Sequence, residues 1–424
     1  MSRSVLLAGL LVSLSPWAQA QAPDAATREL IQKLMARIDS LEKRVVELEQ
    51  GKAPPAAPAV TAAVAPHAHD QAPPLDEGSQ PVYPSLKISG FADVDFSASN
   101  LHGASGGFGA QTLLGAHSGF AEGQFVLHLS SALSPKVTVF SELSMTARSD
   151  AGTGSPPATG FNTEVERVII RYDLNDRFKL SFGRYHTPVN YWNTAFHHGS
   201  WLQTTISRPE MTQFGGSFLP VHFVGALAEG SVPAGGLNLN YNLGVGNGRG
   251  QVISRAGDFG DVNNNRALVA NAFIKPDFLY GLQAGGSVYH DQLNPLTAPA
   301  AREWIESAHL VWTKETPEVI AEFANVSHRP RATAASRSQA FYIQTAYRLP
   351  FAEKKYKPYY RFEHLHVPLS DPIFRGLVPT FSGSTAGVRY DISSFAAFKL
   401  EYRNYMRRSL PTINGVFAQT SFTF

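Results

Sequence analysis

Lys399, Glu401 and Arg403 occupy alternate positions in Phe398-Lys399-Leu400-Glu401-Tyr402-Arg403, with Phe398, Leu400 and Tyr402 between them. In an extended strand successive side chains point to opposite faces, so this segment has one ionised face and one apolar face. Arg167, Arg171, Lys179, Arg348, Arg361 and Arg389 stand in comparable alternating stretches. The chemistry open to such a set is electrostatic: a wall of fixed charge that biases which small solutes pass it. Glu142, Glu322, Glu363, Asp391 and Glu401 lie in the same stretches and neutralise part of that wall. What remains is at most a mild anion preference.

Residues 187–220 form the longest interruption between such stretches and concentrate Tyr191, Trp192, His197, His198, Trp201, Arg208 and Glu210. His186, His197 and His198 have a ligand type that can converge on an ion, yet neutral polar contacts are the commoner use, and no metal is expected. The cluster His67, His69 and Asp70 has no further ligand nearby. The chain contains no cysteine, which excludes a disulfide scaffold and thiolate chemistry. No paired carboxylates, serine–histidine–acid set or Gly-x-x-x-x-Gly-Lys phosphate loop can be assigned from spacing. Neither enzymatic activity nor a cofactor is expected.

These groups need elements that keep charge out of an apolar environment. About 16 alternating stretches run from 86–98 to 416–424, and the last has Val416, Ala418, Thr420, Phe422 and Phe424 on one face. Its other face carries Phe417, Gln419, Ser421 and Thr423. Tight links at Ser134-Pro135, Asn175-Asp176, Pro276-Asp277, Glu315-Thr316 and Ser393-Ser394 alternate with long ones at 99–118, 187–220, 247–265 and 368–384. Short turns on one side and long loops on the other are the rule for barrels that cross a bacterial outer membrane. A lysine or arginine facing lipid at mid-depth costs about 2–4 kcal/mol, so the charged face must line the interior. Tyr360, Phe362, Tyr390, Phe398 and Tyr402 then face the lipid. The expected fold is all-β, a transmembrane antiparallel β-barrel of about 16 strands over residues 85–424, and closure satisfies every backbone group.

The preceding residues divide in three. Residues 1–22 have a basic start, an apolar run and Ala18-Gln19-Ala20, the order of a secretory signal peptide. In 23–52, Ile31, Leu34, Ile38, Leu41, Val45 and Leu48 recur at spacings of three and four, a heptad seam for a short periplasmic α-helical coiled coil. Residues 53–84, rich in alanine and proline, read as a semi-extended linker. β-Branched residues at a with leucine at d favour a dimer in isolation. The whole chain has a formal net charge of +2. Setting aside the 7 basic and 9 acidic residues of 1–84 leaves 29 against 25 in the barrel region, too weak a balance to imply nucleic acid.

The layout of signal, coiled coil, linker, barrel and terminal Phe424 resembles the trimeric outer-membrane porins of Gram-negative bacteria. The coiled coil before the barrel resembles the phosphate-selective porin group, known for a basic ladder through the pore. The resemblance implies a homotrimer among outer-membrane lipid and lipopolysaccharide, with the coiled coil in the periplasm. It also implies that 187–220 folds inward as the constriction loop. Pro209-Glu210 followed by Phe214-Gly215-Gly216 resembles the Pro-Glu-Phe-Gly-Gly run of general porins, with three residues interposed. The implied function is passive diffusion of small hydrophilic solutes. The alternative is a structural barrel tied through its coiled coil to the cell wall or a partner.

Overall fold

The computed structural model describes residues 83–100, 118–147, 160–213 and 218–424. The expected signal peptide, coiled coil and linker lie outside the described residues, except that the described region begins at Tyr83. Sixteen strands follow in order: β1 (Lys87–Ser99), β2 (Gly119–Ser134), β3 (Val137–Ala147), β4 (Phe161–Asn175), β5 (Phe178–His186), β6 (His222–Val232), β7 (Leu239–Asn247) and β8 (Ala267–Ile274). The second half comprises β9 (Leu282–Leu293), β10 (Ala301–Trp312), β11 (Glu318–Pro330), β12 (Ser336–Ala346), β13 (Tyr356–His366), β14 (Phe381–Ser393), β15 (Ala396–Arg407) and β16 (Ile413–Thr423). Each strand pairs with its sequence neighbours, and β1 pairs with β16, so the sheet closes as a barrel. The closing seam is antiparallel from Phe91↔Thr423 to Ser99↔Gly415. Gly90 and Phe424 extend it by exchanging backbone hydrogen bonds of 2.9 and 3.2 Å.

The period-two pattern is realised residue by residue. In β12, Ser336, Ser338, Ala340, Tyr342, Gln344 and Ala346 are buried, while Arg337, Gln339, Phe341, Ile343 and Thr345 are exposed. In β13, Lys357, Tyr359, Arg361, Glu363 and Leu365 face inward, with Tyr360 and Phe362 outward. The burial pattern is inverted relative to a water-soluble protein. Large apolar side chains such as Phe182, Leu243, Ile343, Tyr360 and Tyr402 are exposed on the outer surface, and charged ones such as Lys399, Glu401 and Arg403 are buried inside. An outer surface of this kind belongs in hydrocarbon.

The links obey the expected parity. The β2–β3, β4–β5 and β14–β15 links are only two residues long, whereas the opposite end carries 187–221, 248–266 and 367–380. The strands that carry the longest of these loops also include one unusually close approach. Gly183 of β5 has a φ of +150°, and a Cβ there would stand 1.9 Å from the Val168 carbonyl oxygen. β4 and β5 therefore meet closely because position 183 has no side chain.

Candidate functional site

The 187–221 loop springs from β5 and returns to β6. Between them lie a short helix α1 (Trp192–Ala195) and a 3₁₀ turn (Glu210–Thr212). The loop's partners are the inward-facing side chains of β11, β13, β14 and β15, which places it inside the barrel. Glu322 of β11 accepts hydrogen bonds from the backbone N–H of Tyr191 (2.6 Å) and of Trp192 (2.7 Å), at the start of α1. These are donors that a helix leaves unsatisfied. Glu401 of β15 accepts from Ile206 N–H at 2.9 Å, and Glu363 of β13 from Glu210 N–H at 2.5 Å.

The basic residues grip the carbonyls. Arg361 donates to Ser207 O at 2.8 Å and Arg208 O at 3.0 Å. Arg389 donates to Trp201 O at 2.6 Å and Gln203 O at 3.0 Å. Lys399 Nζ donates to Ser200 O, and to Thr205 O at 3.2 Å. Arg361 and Lys399 are fully buried beneath the loop. Within the wall, Arg361 pairs with Glu363 (3.1 Å), Arg403 with Glu401 (2.6 Å) and Arg389 with Asp391 (2.7 Å). Each pair sits two residues apart on one strand face. Such buried charges are tolerable because each is paired and hydrogen-bonded.

The opposite arc of the wall is open. A cavity with about 1190 Å³ of empty space is lined in part by Arg167, Arg171, Tyr185, Glu229, Asn242 and Gln283. Arg167 pairs with Glu142 at 2.7 Å, and Arg171 with Asp173 at 2.7 Å. Glu229, which also lines the cavity, stands 3.7 Å from Arg171, so both guanidiniums have carboxylate partners.

At the root of the loop four histidines converge. His186 ends β5 and His222 begins β6, and the two are register partners. The loop folds back so that His197 and His198 join them. One ligating atom of each lies within 4.8 Å of every other. The His186 and His197 rings are 3.9 Å apart, centroid to centroid. Around them, Glu166 of β4 stands 2.8 Å from His222 Nε2 and 3.2 Å from His198 Nε2. Glu142 of β3 stands 3.4 Å from His186 Nε2. Gln124 of β2 meets His198 Nδ1 at 2.7 Å.

The residues singled out from sequence thus fall into separate places. Arg361, Arg389 and Lys399 lie under the loop, Arg403 is buried against Glu401 and Phe417, and Arg167 and Arg171 face the cavity. Lys179 is half-buried on β5, opposite Asp173 and Glu229. Arg348 lies in the β12–β13 link at the short-turn rim, held by Glu315 at 2.8 Å. Tyr191, Trp192, His197, His198 and Arg208 are buried in the inward loop, with Trp201 and Glu210 half-buried. Burial pushes the Glu210 carboxyl up to about 7, against the opposing pull of Arg407. Phe214-Gly215-Gly216 and the seam residues Ile31, Leu34, Ile38, Leu41, Val45 and Leu48 lie outside the described residues. Sequence reasoning passed over His222. Its position opposite His186 across a two-strand root was the signal that could have found it.

No family model and no curated protein sequence matches the chain. Solved structures do. An anion-selective porin from Comamonas acidovorans aligns with a TM-score of 0.55 at 11% identity, over 80% of this chain and 100% of that one. The outer membrane channel DcaP of Acinetobacter baumannii aligns at 0.54 and 12%, over 80% and 97%. OmpF of Salmonella typhi, solved with daunomycin, aligns at 0.53 and 12%, also over 80% and 97%. At these identities the likeness is one of architecture, and the architecture it establishes is the closed 16-stranded barrel of the outer-membrane porins.

Proposed function

We propose that the protein is a porin of a Gram-negative outer membrane, a passive diffusion channel for small hydrophilic solutes with a mild preference for anions. One observation carries this reading. A long loop is folded inside a closed barrel and clasped to one arc of its wall, beside an open cavity along the other arc. A polypeptide held across the lumen narrows it, and pore width with the charge lining it sets what passes. The constriction is then formed by the loop, whose Pro188, Asn190, Tyr191, Thr194 and Ala195 border the cavity. The small basic excess of the barrel region, 29 against 25, with Arg167 and Arg171 bordering the cavity, supports no more than a modest bias towards anions. The mature assembly is a homotrimer set in outer-membrane lipid and lipopolysaccharide, with the coiled coil of 23–52 in the periplasm.

The test is reconstitution of the refolded chain in planar bilayers under a KCl gradient. Conductance steps in groups of three, with a reversal potential on the anion side, are expected. A protein that inserts and gives no conductance overturns the channel reading. A cation-selective potential overturns the assignment of the cavity wall as the selecting surface.

A further inference from the structure

The four-histidine cluster at the loop root is not needed by a diffusion channel, and its geometry points to something else. We propose that His186, His197, His198 and His222 form a binding site for a divalent transition-metal cation of the zinc class, which clips the inward loop to the two strands it springs from.

The donor set comes first. Around zinc at about 2.0–2.1 Å, four imidazole nitrogens stand about 3.3–3.4 Å apart. Here the ligating atoms already lie within 4.8 Å of one another, so adjustments on the rotamer scale close the set. The surrounding contacts favour a usable lone pair. Asn193 Nδ2 donates to Thr187 O (2.8 Å) and Val221 O (3.1 Å), which turns its Oδ1 towards His197 Nδ1 at 3.2 Å. A proton on Nδ1 leaves the His197 Nε2 lone pair for a ligand. The Arg208 guanidinium, also 3.2 Å from Nδ1, competes for that edge. A flip of the Gln124 amide does for His198 what Asn193 does for His197, because its oxygen then accepts from Nδ1.

A second observation is independent of the spacing. His186 Nε2 and His222 Nε2 are buried without a hydrogen bond of acceptable geometry, although carboxylates stand 3.4 and 2.8 Å away. Buried polar atoms left so are uncommon, and an ion is one of the ordinary explanations. Glu166 stands at the same Nε2 atoms of His198 and His222 that would face the ion, where a carboxylate oxygen is itself an ordinary zinc ligand.

Charge decides the class of ion. Glu142, Glu166 and Asp258 face Arg167, Arg184 and Arg208 around the cluster, so the surroundings are close to neutral. Calcium and magnesium need carboxylate oxygens and net negative charge, whereas imidazoles bind zinc, copper and nickel through their lone pairs.

The decisive experiment loads the full-length refolded protein with Zn²⁺, removes loosely held metal by dialysis and counts zinc per chain by mass spectrometry. Co²⁺ substitution follows, with its visible absorption as the readout of four-coordinate nitrogen ligation. One zinc per chain is expected, undisplaced by millimolar Mg²⁺ or Ca²⁺. It should be lost in His197→Ala/His198→Ala and retained in His67→Ala/His69→Ala. Glu166→Gln, which removes a negative charge beside the ligating nitrogens, should weaken binding by at least about tenfold while the barrel still folds, as judged by its heat-modifiable gel mobility. Zinc that follows His67 and His69 instead, or that stays in the loop double variant, overturns the proposal, as does no binding at all. These readouts do not depend on conductance, so the metal site and the channel can fail separately.

Discussion

The barrel's inner wall has two arcs with the same sequence pattern and different fates. On β11 and β13–β15, Glu322, Arg361, Glu363, Arg389, Lys399 and Glu401 are closed over by the loop and hold its backbone. On β4, Arg167 and Arg171 point into open space. The charges are alike in type and spacing, but one set has become an internal clasp, whereas Arg167 and Arg171, paired with Glu142 and Asp173, border the open cavity. Facing inward is therefore not the same as lining the pore. What separates the two is a loop contributed from more than 150 positions away in the chain.

The comparison breaks most sharply at Arg361. Replacing it with methionine removes one partner from a buried network and leaves Glu363 and the Ser207 and Arg208 carbonyls uncompensated, a loss of about 3–5 kcal/mol. Arg171→Met, at the half-open wall, should cost no more than about 1 kcal/mol. Urea unfolding of the two refolded variants in detergent measures the contrast, and equal losses would erase the distinction between the arcs.

A milder version tests the loop's seat. Glu322→Gln keeps the shape but weakens two charge-assisted bonds at the start of α1, a loss of about 1.5–3 kcal/mol. Limited proteolysis should cut the loop of this variant faster than that of the parent protein, with β11 itself still protected.

Selectivity sharpens the comparison from the other side. Neutralising Arg167 and Arg171 together should move the reversal potential towards cations by about a twofold change in permeability ratio, a bias of a fraction of RT to RT. Arg389→Gln, beneath the loop, should leave that ratio nearly unchanged. The opposite ranking would make the covered arc the selecting one.

The smallest effect concerns pH. Glu210 is neutral below about 7 and becomes charged above it, and burial disfavours the charged form. The loop's packing is thus strongest at acid pH and relaxes as pH rises through 7, the reverse of an ordinary salt-bridged carboxylate. Open-channel noise should grow from about pH 6 to about pH 8 in the parent protein and stay level in Glu210→Gln.

The fold was legible in the sequence because a barrel repeats one local rule. Alternation assigns each side chain to a face, and the parity of short and long links fixes the order of strands around the ring. The ion pairs Arg361–Glu363, Arg389–Asp391 and Arg403–Glu401 follow from the same rule, since residues two apart share a face. The loop's contacts follow no local rule. Nothing in Ser200–Arg208 signals that its carbonyls meet residues of β13, β14 and β15. His222 was hidden for a related reason: a lone histidine at a strand start acquires meaning only when its register partner is known to be His186.

Much of the wall's grip on the loop falls on its main chain. Lysine and arginine take carbonyl oxygens, and glutamates take backbone N–H groups, at Tyr191, Trp192, Ile206 and Glu210. Backbone groups are common to nearly every amino acid, so this part of the clamp reads the loop's path, while the hydroxyls of Thr204, Thr205 and Ser207 add contacts that depend on composition. The side chains that the loop turns towards the open cavity can drift, or be redesigned, while the seat stays intact. A lineage or an engineer could then exchange one class of permeating solute for another without rebuilding the barrel.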